Sequence, residues 1–161
     1  MSKRTWLSTV YEDHRRELFL VAWTVLRRSD LAEDAVHSAF VKLVQLASPP
    51  KDPKLFVFRA VRNSAIDLAK ARSRRREAPL PADWDAPIAE SSVGDAEAQR
   101  SIAELIDGLD TPSREVIELH VHGALTFQEI SQLLAEPLAT VASRYRRALE
   151  KLGNQLKVRY E

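Results

Sequence analysis

The sequence predicts an all-α protein with two small helical bundles joined by an acidic flexible tether, the C-terminal bundle ending in a helix-turn-helix. Three observations lead to this fold class. Apolar residues recur at steps of three and four in both halves of the chain. Residues 77–96 break that periodicity with three prolines and a run of acids, so little apolar surface remains there to bury. Residues 125–152 combine a helix start, a proline that ends the helix and a second helix.

The first bundle, residues 1–76, is expected to hold three helices. The first spans about residues 8–28, and the second is capped by Asp30 and ends at Pro49-Pro50. The third spans about residues 53–74. The apolar residues expected to face the core are Leu7, Tyr11, Leu18, Ala22, Val25, Val36, Phe40, Leu43, Ala47, Leu55, Phe58, Val61, Ala65, Leu68 and Ala69.

The third helix carries cations beside aromatic residues. Such a face suits single-stranded or partly melted nucleic acid, because stacking and phosphate pairing act together. The alternative is that Phe56 and Phe58 belong to the core and the charges are solvated, and for the aromatics this alternative is favoured. Residues 51–76 hold nine Lys and Arg against two Asp, a net of +7, whereas residues 77–99 hold six acids and no Lys or Arg. This segregation marks a boundary between the bundle and the tether.

The second bundle, residues 97–161, begins with two short helices. Their apolar faces are expected to contain Ile102, Leu105, Ile106, Leu109, Val116, Ile117 and Val121, and Gly123 should end the second. Thr126 and Glu129 then have the spacing of a capping box. The helix that they start is short, because Glu136-Pro137 follows its last apolar residues. A tight helix-turn-helix results.

The last helix has two stripes. Val141, Tyr145, Ala148, Leu152 and Leu156 form the apolar one. The opposite stripe has a hydroxyl and three cations, a pattern suited to a major groove with phosphates on both sides; its members are Thr140, Arg144, Arg147 and Lys151. The alternative is an ordinary solvated basic face.

Composition narrows the function classes. The 161 residues are 45% hydrophobic and 29% charged, as in ordinary globular proteins. No transmembrane run or signal peptide is recognised, and the absence of cysteine fits a cytoplasmic protein. The sequence has no phosphate-binding glycine cluster and no arrangement of catalytic residues. A metal site at His120 and His122 is not expected, since they point to different sides of their helix. We therefore expect no catalytic residue, no metal and no cofactor.

These features together resemble a bacterial sigma factor of the extracytoplasmic-function type, within the sigma-70 family. Region 2.2 of that family is similar to LAEDAVHSAFVKLVQL, and regions 2.3 and 2.4 are similar to FVFRAVRNSAIDLAKARSRR. Region 4 is similar to LIDGLDTPSREVIELHVHGALTFQEISQLLAEPLATVASRYRRALEKL. The resemblance covers almost the whole chain and implies a sigma region 2 domain (1–76), an acidic linker (77–96) and a sigma region 4 domain (97–161).

The resemblance also implies three sets of site residues. The set that docks on the RNA polymerase β′ clamp helices comprises Asp34, His37, Ser38 and Val41. The set that flanks or reads the melted minus-10 element comprises Arg59, Arg62, Asn63, Asp67, Lys70 and Arg72. The set that meets the minus-35 duplex comprises Ala139, Thr140, Ser143, Arg144, Arg146 and Arg147. The family usually has Gln at the position of His37, an acid at Ser38, often Gly at Ala135 and often Lys at Ala142.

The implied function is to bind core RNA polymerase, including its β flap, and to direct promoter-specific transcription initiation. The partners are promoter DNA and polymerase, without membrane insertion, and the existence of an anti-sigma factor stays open. The alternative is a stand-alone helix-turn-helix regulator that binds duplex DNA as a dimer, which explains residues 125–152 and leaves 30–76 unexplained. A helical enzyme is the third reading.

Overall fold

Three helices form the first of two compact units in the computed structural model, which describes residues 5–75 and 96–160. They are α1 (Thr5–Leu26), α2 (Ser29–Leu43) and α3 (Pro53–Arg74). The second unit contains α4 (Ala96–Asp107), α5 (Thr111–Val121), α6 (Phe127–Leu134) and α7 (Leu138–Tyr160). The units are Met1–Asp83 and Trp84–Glu161. No strand occurs in the described ranges, and the all-α prediction is confirmed; the predicted tether lies outside them, apart from Ala96.

The core of the first unit is where α1, α2 and α3 pack against one another. Trp23 of α1 and Phe58 of α3 are each 2% exposed, and Leu18 and Val61 are fully buried. Fully burying one such side chain stabilises a fold by about 1.5–3 kcal/mol. The Asp52 carboxylate caps α3 by accepting the Leu55 N–H at 3.2 Å, with proline in the first turn. The third helix therefore begins and ends as predicted, with its basic end outside the core.

Helix α2 differs from the prediction at both ends. Its N-cap is Arg28, which makes no side-chain cap bond, and Asp30 lies in the first turn, where its Oδ1 accepts Arg28 Nε–H at 3.2 Å. Burial raises the pKa of Asp30, but bonds from the Leu31 N–H and Arg28 outweigh it and leave the pKa below its ordinary value. The helix ends at Leu43, before the prolines, and Ala47 is exposed.

The buried face of α2 is also rotated from the predicted one. Ala32, Ala35 and Ala39 are buried, whereas Val36 and Phe40 are only partly covered. Small side chains let the helix axes approach closely, and the larger residues are then displaced to the edge of the contact. Phe40 there meets Tyr11 edge to face, with 5.3 Å between ring centroids.

In the second unit, side chains of the sequence set the helix starts. Asp110 Oδ2 caps α5 by accepting the Ser113 N–H at 3.3 Å and the Ser113 hydroxyl at 3.0 Å. Burial raises the pKa of Asp110, but these bonds outweigh it and hold the pKa below its ordinary value. The predicted capping box of α6 is confirmed, since the Thr126 hydroxyl accepts the Glu129 N–H and the Glu129 carboxylate accepts the Thr126 N–H, each at 3.0 Å.

Two predicted core residues of this unit are exposed. Val121 is 54% exposed and Ile102 is 44% exposed. Val121 is the last residue of α5, and Ile102 lies in the middle of α4 on a side that is not covered. The buried positions are instead residues such as Ala103 and Leu119. Helix α5 ends at Val121, so Gly123 lies two residues beyond it. A Cβ at Gly123 would lie 2.7 Å from the Leu119 carbonyl oxygen, which explains the glycine.

None of the described helices combines the length and apolar character that a membrane crossing needs.

Candidate nucleic-acid interface

The exposed face of α7 gathers most of the predicted minus-35 residues. Steps of three and four place Thr140, Ser143, Arg144 and Arg147 on one stripe, in which Arg147 is exposed and the other three are partly exposed. Ala139 and Arg146, both exposed, lie one step round the helix. Val141, Ala148 and Leu152 on the other side are buried, as predicted, and fix which face of α7 points outward. The exposed stripe can hold phosphates and present guanidinium donors to base edges.

The turn before α7 is fixed at several points. Ala135 adopts a left-handed conformation, with φ 54° and ψ 44°, at the end of α6. The Glu136 N–H donates to the Ser131 carbonyl at 3.1 Å, and the Ser131 hydroxyl donates to the Glu136 carbonyl at 2.6 Å. Glu136 Oε1 lies 3.5 Å from Nη2 of Arg144, so the turn carries an ion pair to the exposed stripe. Sequence reasoning missed this pair, because its partners are eight residues apart across a turn.

An aromatic cluster holds the three helices of the helix-turn-helix region together. His120 of α5 lies 4.5 Å from Phe127 of α6 and 4.9 Å from Tyr145 of α7, measured between ring centroids. Phe127 and Tyr145 are themselves 5.0 Å apart. His120 Nδ1 is 2.8 Å from the Leu125 carbonyl oxygen, which requires the nitrogen to carry the proton. This histidine therefore connects α5 to α6 and α7.

The outward face of α3 carries most of the predicted minus-10 residues. Arg59, Asn63, Asp67 and Lys70 are exposed at steps of three and four, and Arg62 beside them is partly covered. Arg72 differs, since it lies about three turns after the buried Val61 and so on the core side of α3. The structure thus brings five of the six predicted residues to one face.

The two phenylalanines of α3 have different environments. Phe58 is 2% exposed and meets His14 edge to face at 5.8 Å, so the core interpretation is correct for this residue. Phe56 is 41% exposed and lies about two turns before Asn63, on the same side of the helix. An exposed aromatic ring beside cations can stack on an unpaired base. The core interpretation was wrong for Phe56, because residues two apart in a helix point to different sides and only Phe58 faces the core.

The four residues predicted to dock on polymerase lie on one exposed face of α2. Asp34, His37, Ser38 and Val41 are all exposed and follow steps of three and four. They lie opposite the alanines that pack on the rest of the unit. The face is mixed in character, with one carboxylate, one imidazole, one hydroxyl and one apolar side chain. Within residues 5–75 and 96–160, no group of three or more metal-ligating side chains occurs.

Comparison with known families identifies two matching segments. Residues 10–75 match the family model described as sigma-70 region 2, and residues 99–152 match that described as sigma-70, region 4. The first segment contains the α2 and α3 faces, and the second contains the α7 stripe.

Comparison with individual proteins agrees with the two family matches. The chain is 31% identical over 142 residues to the extracytoplasmic-function RNA polymerase sigma factor SigK of Mycobacterium ulcerans, covering 82% of this chain and 75% of the relative. Two solved structures share the fold. CnrH in complex with the cytosolic domain of CnrY has a TM-score of 0.66 at 22% identity, covering 98% of this chain and 90% of that one. The sigma factor RpoE in complex with the anti-sigma factor NepR, from Bartonella quintana, has a TM-score of 0.67 at 21% identity, covering 94% of each.

Proposed function

The chain belongs to the extracytoplasmic-function group of the sigma-70 family, and we propose a division of this sigma factor's work among the residues described above. Residues 1–76 dock on the clamp helices of core RNA polymerase through the α2 face and read the melted minus-10 element with α3. Residues 97–161 read the minus-35 duplex with α7 and reach the β flap. Residues 77–96 connect the two. The work is binding, without covalent chemistry, and takes place in the cytoplasm.

The observation that carries this proposal is the presence of a nucleic-acid-type face on each unit. On α7, the exposed Arg147 and the partly exposed Arg144 share one stripe of a helix-turn-helix, where side chains reach base edges in a major groove. On α3, Asn63 and Lys70 share an exposed face with Phe56, a combination suited to unpaired bases. Two modest contacts held at a fixed separation by polymerase give one specific contact, because the second event is intramolecular.

A stand-alone helix-turn-helix regulator is not favoured, because it gives no role to the sigma-70 region 2 match over residues 10–75. One of the two similar solved structures is a sigma factor bound to an anti-sigma factor. On that ground we propose that a protein of this kind also binds the present chain.

The proposal is tested by promoter binding and transcription with and without core RNA polymerase. We expect the full chain to shift promoter DNA only when core polymerase is present. Arg144→Ala or Arg147→Ala should weaken that complex by about 1–3 kcal/mol for a bidentate base contact and by less for a phosphate contact, in a salt-dependent way.

Arg15→Ala serves as the matched control, since Arg15 is an exposed cation of α1 far in sequence from both faces. It removes the same charge and should leave promoter binding unchanged. If the Arg144 and Arg147 variants bind as the wild type does, the assignment of α7 fails. If the free chain binds promoter DNA equally well without polymerase, the regulator alternative gains.

A further inference from the structure

Glu136 is held in the turn of the helix-turn-helix more firmly than an ordinary surface acid. Its N–H and its carbonyl are both bonded to Ser131, at 3.1 and 2.6 Å. The left-handed Ala135 precedes it, and Pro137, whose ring fixes φ, follows it. Because the backbone of Glu136 is fixed on both sides, only rotations within its own side chain decide where its carboxylate lies.

The Glu136 carboxylate lies beside Arg144, a residue of the α7 stripe predicted to contact DNA. Arg144 lies about two helical turns into α7. Its side chain leans back toward the start of the helix, as helical side chains do. Its Nη2 lies 3.5 Å from Glu136 Oε1, and both side chains are partly covered, 23% and 37% exposed respectively. A guanidinium has five N–H donors in a rigid plane, so a carboxylate on one edge leaves other donors available.

We propose that Glu136 is a positioning residue for Arg144 and sharpens the choice of base at the minus-35 element. This inference rests on the proposed function of α7. The carboxylate fixes the plane of the guanidinium, so the remaining donors meet the two acceptors of one base in a single geometry. It also places a negative charge where Arg144 would otherwise swing to a phosphate, which disfavours sequence-independent contacts.

The chemistry predicts a signature distinct from that of a structural ion pair. An ion pair of two partly exposed side chains at the protein surface contributes little to stability, so removing the carboxylate alone should scarcely change folding. It should instead lower the preference for the favoured base at the position that Arg144 reads. Preference at the other positions should be kept, because the ion pair of Glu136 is made with Arg144.

The experiment uses the full chain assembled with core RNA polymerase and a pool of promoters in which the minus-35 element is randomised. Bound and unbound fractions are sequenced for the wild type, Glu136→Gln, Arg144→Ala and the double variant. Glu150→Gln is the matched control, since Glu150 is an exposed acid of α7 and its loss changes the net charge equally. We expect Glu136→Gln to reduce preference about two- to tenfold at the position altered by Arg144→Ala.

The double variant decides whether Glu136 acts through Arg144. Once Arg144 is alanine, the change at Glu136 should have no further effect on preference. The inference is overturned if Glu136→Gln keeps the wild-type preference, if Glu150→Gln reduces it equally, or if the effect of Glu136→Gln persists in the Arg144→Ala background. If the wild type itself shows no preference at the minus-35 element, the assignment of α7 fails and the inference fails with it.

Discussion

Replacing Ala135 with glycine should stabilise the second unit, although most Ala→Gly changes in helical proteins destabilise. Ala135 has φ 54° and ψ 44°, a conformation in which a Cβ crowds the following carbonyl at a cost of about 1–2 kcal/mol. Glycine removes that crowding but has more freedom to lose on folding, about 0.5–1 kcal/mol. The net expectation is a gain of roughly 0.5–1 kcal/mol.

The matched control is Ala142→Gly, the same chemical change within α7. There the conformation is helical, and glycine should cost about 0.5–1 kcal/mol. For a unit of about 80 residues, 1 kcal/mol corresponds to a shift in Tm of about 4–8 °C. The two variants should therefore move the melting of this unit in opposite directions.

Amide hydrogen exchange followed by mass spectrometry suits this test, because it reports the opening of α6 and α7 separately from the first unit. Peptides that cover these helices should exchange more slowly in Ala135→Gly than in the wild type and faster in Ala142→Gly. If both variants exchange faster by similar amounts, residue 135 does not hold a left-handed conformation in solution, and the description of the turn is wrong.

Three further outcomes are expected. Thr126→Ala should destabilise the second unit by about 0.5–2 kcal/mol in thermal unfolding, since it removes the capping box, whereas Thr9→Ala, at an exposed position of α1, should cost less. The folded pKa of Asp110 lies below its ordinary value of 3.8, so its contribution to stability is complete above that value and is lost as pH falls through the folded pKa; the stability difference between wild type and Asp110→Asn should shrink in acid, and a difference that is constant down to the acid limit would contradict it. Asn63→Ala should impair opening of a duplex promoter far more than binding to a pre-melted bubble, and equal losses on both templates would leave Asn63 with a structural role.

Helix starts were predictable where a side chain that can cap a helix bonds to the N–H groups at the start of that helix. Thr126 with Glu129 and proline after Asp52 each satisfy free N–H groups at a helix start, and both lie where the sequence places them. Asp30 satisfies the same pattern, yet Arg28 binds its carboxylate and the helix starts two residues earlier, with Arg28 as its N-cap. A local pattern could not anticipate the competing ion pair.

For the candidate site, the sequence predicted which residues share a helix face, but it did not predict which side chains contact one another. Steps of three and four placed Arg144 and Arg147 on one stripe of α7, because helical geometry alone decides it. The ion pair between Glu136 and Arg144 depends on how a turn folds back, and the burial of Ala35 in place of Val36 depends on how closely two helices approach. Both require the third dimension.

The cluster of His120, Phe127 and Tyr145 has a thermodynamic consequence for DNA binding. Because these rings join α5, α6 and α7 before any ligand arrives, α7 does not have to order itself on the duplex. The heat-capacity change of binding should then reflect only the surface covered at the interface, without the larger negative term that accompanies coupled folding. Calorimetry on promoter DNA should record a modest heat-capacity change for the wild type and a more negative one for Phe127→Ala, in which α6 loses its ring contacts to α5 and α7.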